Sequence, residues 1–331
     1  MTGQPLLEVR DLAVDHVDGN HRTPILRGLS FDLQPAEALG IVGESGSGKS
    51  VTLQAIRRTL PRALRATGSI TVDGQDVFAM GASRLRTWHS SGVAMIHQDP
   101  RAAINPVRTI GDFLTETLRR RLSKNEAVQR ALKQLRAVGI ANAESRLEQF
   151  PHELSGGLLQ RVMIASALLD EPDLIMADEP TTALDVTTQQ EVMAIIDELR
   201  RERGMAMILV THDLDLAAAV TDRVATFYAG SLVEMGESND LHRNVLHPYT
   251  RGLLDSRPSV TAREELRPIP GRPARASEVG PGCAFVARCP LAISVCETHA
   301  PPLVPESGRF VACHRVAEIA SRPQHETGAS A

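Results

Sequence analysis

The segment Ala38–Ser50, reading ALGIVGESGSGKS, constrains this chain more than any other. An apolar run ends in Gly43-Glu44-Ser45-Gly46-Ser47-Gly48-Lys49-Ser50. It is followed by Val51 and TLQAIRRTL, where Leu53, Ile56 and Leu60 recur at helical spacing. Strand, glycine-rich loop and helix in that order, with every fixed position of GxxxxGK[ST] filled, make a phosphate-binding loop. The glycines let successive backbone N–H groups turn inward around phosphate oxygens, and the helix N-terminus adds partial positive charge. Lys49 is placed to reach the β- and γ-phosphates of a nucleoside triphosphate such as ATP, and the Ser50 hydroxyl to ligate Mg²⁺.

The rest of the chain alternates strand and helix patterns around this loop. Residues 6–42 read as short strands: LLEVRDLAV, a polar break at VDGNHRT, then ILRGLSFDL and EALGIVG. Further strands are predicted at GSITVDGQDV and VAMIHQ. From about 100 to 165 the pattern turns helical, with TIGDFLTETLRR and NEAVQRALKQLRAVGI as amphipathic segments. The apolar runs DLIMAD and MAMILVTH flank the helical TTQQEVMAIIDELRRERG, which implies a parallel sheet covered by helices. RVATFYA and SLVEMG are two shorter strands. After 258, Pro and Gly become dense and periodicity fades, in what reads as a small loop-rich appendage with a frayed tail after about 320.

Two further motifs carry chemistry. In Asp173-Leu-Ile-Met-Ala-Asp178-Glu179 an apolar strand ends in adjacent carboxylates. A carboxylate beside a buried strand calls for a cation, so Asp178 is the Mg²⁺ partner, and Glu179 the group that orients and deprotonates an attacking water. In Leu154-Ser155-Gly156-Gly157-Leu158-Leu159-Gln160-Arg161, Ser155 is a natural helix N-cap and two glycines expose backbone donors, a second anion site.

The phosphate loop, LSGGxxQR and the Asp178–Glu179 strand together make residues 6 to about 236 resemble the nucleotide-binding subunits of ABC transporters. That resemblance implies an α/β fold: a RecA-like P-loop ATPase core, a mostly parallel sheet with an N-terminal antiparallel β-subdomain, spanning 1–98 and 166–240. A helical subdomain at 99–165 carries the signature motif. It also implies roles by residue. Gln98 contacts Mg²⁺ or the attacking water, Ala183-Leu184-Asp185 is the D-loop, and His212 contacts the γ-phosphate. Ser155, Gly156, Gly157, Gln160 and Asp185 face ATP held by a second subunit, so one chain cannot close its own site. The sequence departs from the family in two places: His16 stands where an aromatic ring stacks on adenine, and Ala36 replaces a turn glycine.

All four cysteines, Cys283, Cys289, Cys296 and Cys313, fall after residue 282 in a C-x5-C-x6-C-x16-C array. Four thiolates in a weakly hydrophobic, loop-rich segment suit a metal crosslink, with Zn²⁺ and free thiols as alternatives. Four cysteines are the complement of a [4Fe–4S] cluster. The segments HPYTRGLL from His247, IPGRP from Ile269, GCAF with RCP around Cys283 and Cys289, and ACH at Cys313 are similar to the extension of dipeptide, oligopeptide and nickel importer ATP-binding subunits of the D type. Some members carry such a cluster. The extension is then 241–331. This resemblance implies a related but distinct F-type partner, two membrane permeases, and an extracytoplasmic binding protein acting through the complex. The transported solute stays open among dipeptides, longer peptides and nickel chelates.

Composition agrees. A formal charge of −4 over 331 residues argues against a dedicated nucleic-acid binder, and no apolar run is long enough to cross a bilayer. The expectation is an ATPase peripheral to the cytoplasmic face of the membrane. A DNA-repair ATPase needs a long coiled coil between loop and signature, a ribosomal one needs two cassettes, and a merely regulatory ATP binder is disfavoured by Glu179 and His212.

Overall fold

The N-terminal hairpin shows how local sequence becomes register. In the computed structural model, β1 (Leu7–Asp18) pairs antiparallel with β2 (His21–Leu33) from Leu7↔Leu33 to Asp18↔His21, through a turn in which Gly19 takes φ 56°. Leu7 and Val9 are buried, and so are Leu12 and Val14, a spacing that breaks strict alternation. A bulge at Asp11 (φ 47°) absorbs the extra residue and returns both apolar pairs to one face. On the facing strand a Cβ at Gly68 would lie 2.4 Å from the Asp11 carbonyl, so only glycine fits opposite the bulge. The polar break expected at VDGNHRT is instead paired strand on both sides of the turn. The ladder continues past the buried face because backbone pairing does not require apolar side chains.

The structure describes residues 4–182, 184–240, 245–256 and 268–321. In chain order the remaining strands are β3 (Ala38–Val42), β4 (Leu64–Val72), β5 (Gln75–Asp76), β6 (Val93–Ile96), β7 (Leu174–Asp178), β8 (Ala206–Thr211), β9 (Arg223–Tyr228), β10 (Ser231–Glu237), β11 (Val304–Glu306) and β12 (Arg309–Val311). The chain divides into two compact units: 1–34, 38–80 and 210–331 form one, and 35–37 and 81–209 the other.

The first unit holds an antiparallel sheet ordered β2-β1-β4-β5 and the strand series β11-β12-β10-β9-β3. β3 is buried along its whole length and runs parallel to β9, which explains its unbroken apolar sequence. The second unit holds β8-β7-β6, with β6 and β7 parallel, and the helices Lys124–Ala137, Gly156–Ala167 and Val186–Arg203. Ser123 and Glu126 close a capping box on the first of these helices. The expected helix at TIGDFLTETLRR is shorter, Ile110–Thr115 followed by a 3₁₀ turn at Leu118–Arg120.

The C-terminal region is more ordered than its composition suggests. β11 and β12 form a tight hairpin through Ser307 (φ 49°) and Gly308 (φ 77°), and β12 pairs with β10, Glu234 facing Val311. The Ser-Gly dipeptide between two short apolar stretches is the signal for that turn. Beneath it Tyr228, Tyr249 and Phe285 pack with ring centroids 4.6–5.3 Å apart. A buried pair, Glu234 with Arg309 at 3.6 Å, ties the hairpin down, and the same carboxylate accepts the N–H groups of Leu246 and His247. The frayed tail expected after about 320 falls almost wholly on 322–331, outside the described residues.

Candidate functional site

The phosphate loop and the helix Lys49–Ile56 lie in the first unit. Gly43, Gly46 and Gly48 have φ of 151°, 80° and 101°. A Cβ at Gly43 would sit 2.2 Å from the Phe227 carbonyl oxygen, and one at Gly48 would sit 2.4 Å from Leu26. The loop therefore takes this course only with glycine at both places. Lys49 is buried, and its Nζ donates to the carbonyls of Gly43 (2.8 Å) and Glu44 (3.1 Å). The ammonium is thus held inside the loop by the loop itself. The helix begins with no side-chain cap and no acidic residue in its first turn, so its positive end is not neutralised from within. The Ser47 hydroxyl is buried without a hydrogen-bond partner, while Ser45 and Ser50 are exposed. Val51 lies in the first helical turn, and His16 is exposed near the end of β1. His212, also in this unit, is exposed just after β8, ahead of the helix Leu214–Val220 that Asp213 caps.

Glu44 is held from outside the loop. Its carboxylate accepts two hydrogen bonds from Arg288, at 2.7 and 3.1 Å, and its N–H donates to the Tyr249 hydroxyl at 2.9 Å. In the sequence Tyr249 and Arg288 stand out only as members of the segments HPYTRGLL and RCP. For Tyr249 scarcity is the available signal, because the chain's two tyrosines, Tyr228 and Tyr249, both lie at this contact, whereas nothing marks Arg288 among the many arginines.

The carboxylates lie in the second unit. β6 and β7 pair from Val93↔Leu174 to Ile96↔Ala177, and continuing that register two residues sets Gln98 opposite Glu179. The Gln98 Nε2 lies 3.4 Å from the Glu179 carboxylate, which also accepts from the Thr182 hydroxyl at 2.8 Å. Glu179 has φ 45°, a left-handed conformation uncommon for a non-glycine residue, of the kind that gathers at functional sites. Asp178 and Glu179 are half-buried, and Gln98 is exposed.

The signature segment and Asp185 come together in the same unit. Ser155 caps the helix Gly156–Ala167 by accepting the Leu158 N–H, and a Cβ at Gly157 would meet the Thr188 methyl at 3.0 Å. Asp185 caps the next helix through Thr188, whose N–H and hydroxyl hold its carboxyl below the usual range. Ser155, Gly156, Gly157 and Asp185 line one open concavity of about 420 Å³. Gln160 is different: it is buried, with no partner for its Nε2. Ala183 lies outside the described residues.

The four cysteines are free thiols brought into one neighbourhood. The Cys283 N–H donates to the Cys296 carbonyl at 2.7 Å, over Gly282, where a Cβ would strike that carbonyl at 2.2 Å. Burial pushes the Cys283 thiol up to about 11, and the charges of Cys296, Cys289 and Cys313 add to it. Burial raises Cys289 and Cys313 as well, each also feeling Cys296. Among the described residues no three His, Cys, Asp or Glu side chains are gathered as a site for a single metal ion. Nor is any described helix long and apolar enough to cross a membrane.

A glycine-built phosphate loop with a caged lysine, and parallel strands ending in paired carboxylates, define a P-loop nucleotide-hydrolysing ATPase. Comparison with known proteins narrows this. Residues 26–182 match the family described as ABC transporter, and 233–296 match "Oligopeptide/dipeptide transporter, C-terminal region". The oligopeptide transport ATP-binding protein OppD of Salmonella typhimurium is 42% identical over 95% of this chain and 94% of its own length. The dipeptide transport ATP-binding protein DppD of Bacillus subtilis is 43% identical over 89% of each. Among solved structures, the dimeric ATP-binding cassette MJ0796 bound to ADP and Pi matches with TM-score 0.62 at 25% identity, covering 70% of this chain and 98% of that one. The chain belongs to the ABC transporter ATP-binding family, in the branch formed by the oligopeptide and dipeptide transport proteins.

Proposed function

We propose that this ATPase is one of two ATP-binding subunits that drive uptake of di- and oligopeptides through a membrane complex. One observation carries the reading: similarity to OppD runs through the cassette and on through the extension, over 95% of the chain. In this reading Gly43–Val51 cradle the triphosphate, Lys49 contacts its outer phosphates, and His16 lies beside the base. Ser50, Gln98 and Asp178 supply the oxygen donors Mg²⁺ prefers, and the ion when bound offsets charge growing on the phosphates. Glu179 takes the proton of the attacking water, Gln98 orients that water, and His212 contacts the γ-phosphate. Ser155, Gly156 and Gly157, backed by buried Gln160, join Asp185 in covering the nucleotide of a distinct F-type partner. Segment 99–165 grips two permeases at the cytoplasmic face, and an extracytoplasmic binding protein delivers the solute.

In the same reading the extension, 241–331, carries a [4Fe–4S] cluster on Cys283, Cys289, Cys296 and Cys313, with Zn²⁺ as the alternative. Four cysteines are the full ligand complement of such a cluster, and a loop-rich segment gains order from a metal crosslink. Iron analysis and the absorbance spectrum of anaerobically purified protein test this. A colourless protein with stoichiometric zinc overturns it.

Glu179→Gln is expected to lower ATP hydrolysis by about 10²–10³-fold while ATP binding stays within about threefold. Unchanged turnover would remove Glu179 from its role. Failure of the chain to co-purify with two membrane proteins would remove the transport reading.

A further inference from the structure

The phosphate loop carries an acidic residue where a polyanion must bind. Glu44 directly follows Gly43, and its carbonyl helps cage the Lys49 ammonium and accepts the Ser47 N–H. An uncompensated carboxylate there repels phosphate, and a loop free to rotate at Glu44 releases the lysine. The extension answers both problems. Arg288 meets the carboxylate with two parallel hydrogen bonds, and Tyr249 accepts the Glu44 N–H.

The clamp is itself firmly seated. Arg288 is 6% exposed at its side chain, donates to the carbonyls of Pro270 and Ile269, and lies against the rings of Tyr228 and Phe285. Burial works against its charge, and the bonds to Glu44 and Tyr228 more than offset this, so its pKa ends above the ordinary arginine value. A planar fork fixed at its base by backbone carbonyls is suited to hold a carboxylate in one orientation.

We propose that Arg288 and Tyr249 are positioning residues for ATP binding: they neutralise and orient Glu44 from the C-terminal extension, and through the Glu44 carbonyl set the place of Lys49. The extension is thereby part of the nucleotide site, though it contributes no group that touches nucleotide.

Holding Glu44 is a different task from anchoring the extension. Arg27 also fastens the extension, through the carbonyls of Ala276, Val279 and Gly280, but does not touch Glu44. The test is equilibrium binding of a fluorescent ATP analogue with Mg²⁺ to the full chain, with thermal melting measured alongside. Arg288→Gln is expected to weaken binding about tenfold, because it bares a carboxylate beside the phosphates. Tyr249→Phe weakens it about threefold, and Arg27→Gln leaves it within twofold even if melting falls. Glu44→Gln removes the charge but keeps the carbonyl that cages Lys49, and its affinity is the background against which the double variant is read. Combined with Arg288→Gln, it recovers most of the lost affinity, because no bare charge remains. The proposal is overturned if Arg288→Gln binds within twofold of the parent, if Arg27→Gln weakens binding as much as Arg288→Gln, or if the double variant binds as poorly as Arg288→Gln.

Discussion

The phosphate loop and the C-terminal extension reach order by opposite means. In the loop most of the order is local: three glycines at positive φ shape the backbone and Lys49 is caged by two carbonyls within six positions, with Glu44 held from outside by Arg288 and Tyr249. In the extension, order is imposed from a distance. Glu234 on β10 holds Leu246, His247 and Arg309, and Arg27 on β2 holds three carbonyls some 250 residues away. The difference teaches where each is vulnerable. The loop fails when a Cβ is added, and the extension fails when a single buried polar anchor is removed.

The largest effect expected is at that anchor. Glu234→Gln leaves Arg309 buried without its counter-charge and should cost about 3–5 kcal/mol, read by denaturant unfolding, with cleavage in the extension appearing first under limited proteolysis. An unfolding midpoint equal to the parent's would show that the anchor is dispensable. Next is Gly43→Ala, whose Cβ meets a backbone oxygen that cannot move aside. ATP affinity should fall about a hundredfold, roughly 2.7 kcal/mol, in a calorimetric titration, while the extension's proteolytic pattern stays unchanged.

A pH effect sharpens the comparison further. Burial depresses His247 to about 3, and its Nδ1 accepts the Tyr249 N–H, a bond that protonation destroys. The unfolded chain binds this proton below about 6.5 and the folded chain only near 3, so stability is present above 6.5 and is lost as pH falls through that window. Between pH 7 and 5 the loss is about 2 kcal/mol from this group. His247→Asn keeps an acceptor but cannot titrate, so its stability should decline less with acid than the parent's. Parallel curves would exclude His247 as the cause. The smallest effect is Ala36→Gly, where φ is 61° and the family glycine is missing. A gain of about 0.5 kcal/mol in melting analysis is expected, with ATP affinity unaltered.

Much of the site was legible because its chemistry is contiguous in the chain. The loop is a single motif, Asp178 and Glu179 are adjacent, and Ser155 heads its helix as a capping residue should. The position of Ala36 in a positive-φ turn was legible too, from the glycine it replaces. The β11–β12 hairpin was not, because three-residue strands carry too little alternation to rise above a Pro-rich background, although Ser307-Gly308 marked the turn. Glu44 reads as a loop residue, but nothing in its neighbourhood announces Arg288, which lies 244 positions away. Gln160, which the family resemblance groups with the signature, is buried on its helix instead of facing the concavity that Ser155, Gly156 and Gly157 line.

The sequence by itself determined the strand–loop–helix cradle, the carboxylate strand, the capped signature helix and the grouping of four cysteines. Each of these depends on backbone conformation or periodicity within a dozen or so neighbouring residues, or on residue type alone. Only the tertiary structure decided that Gln98 stands opposite Glu179, that the cysteines converge, and that Arg288 and Tyr249 grip the phosphate loop. Those facts depend on strand register and on buried ion pairs between distant positions, and a pairing across hundreds of residues leaves no periodic trace in a single chain.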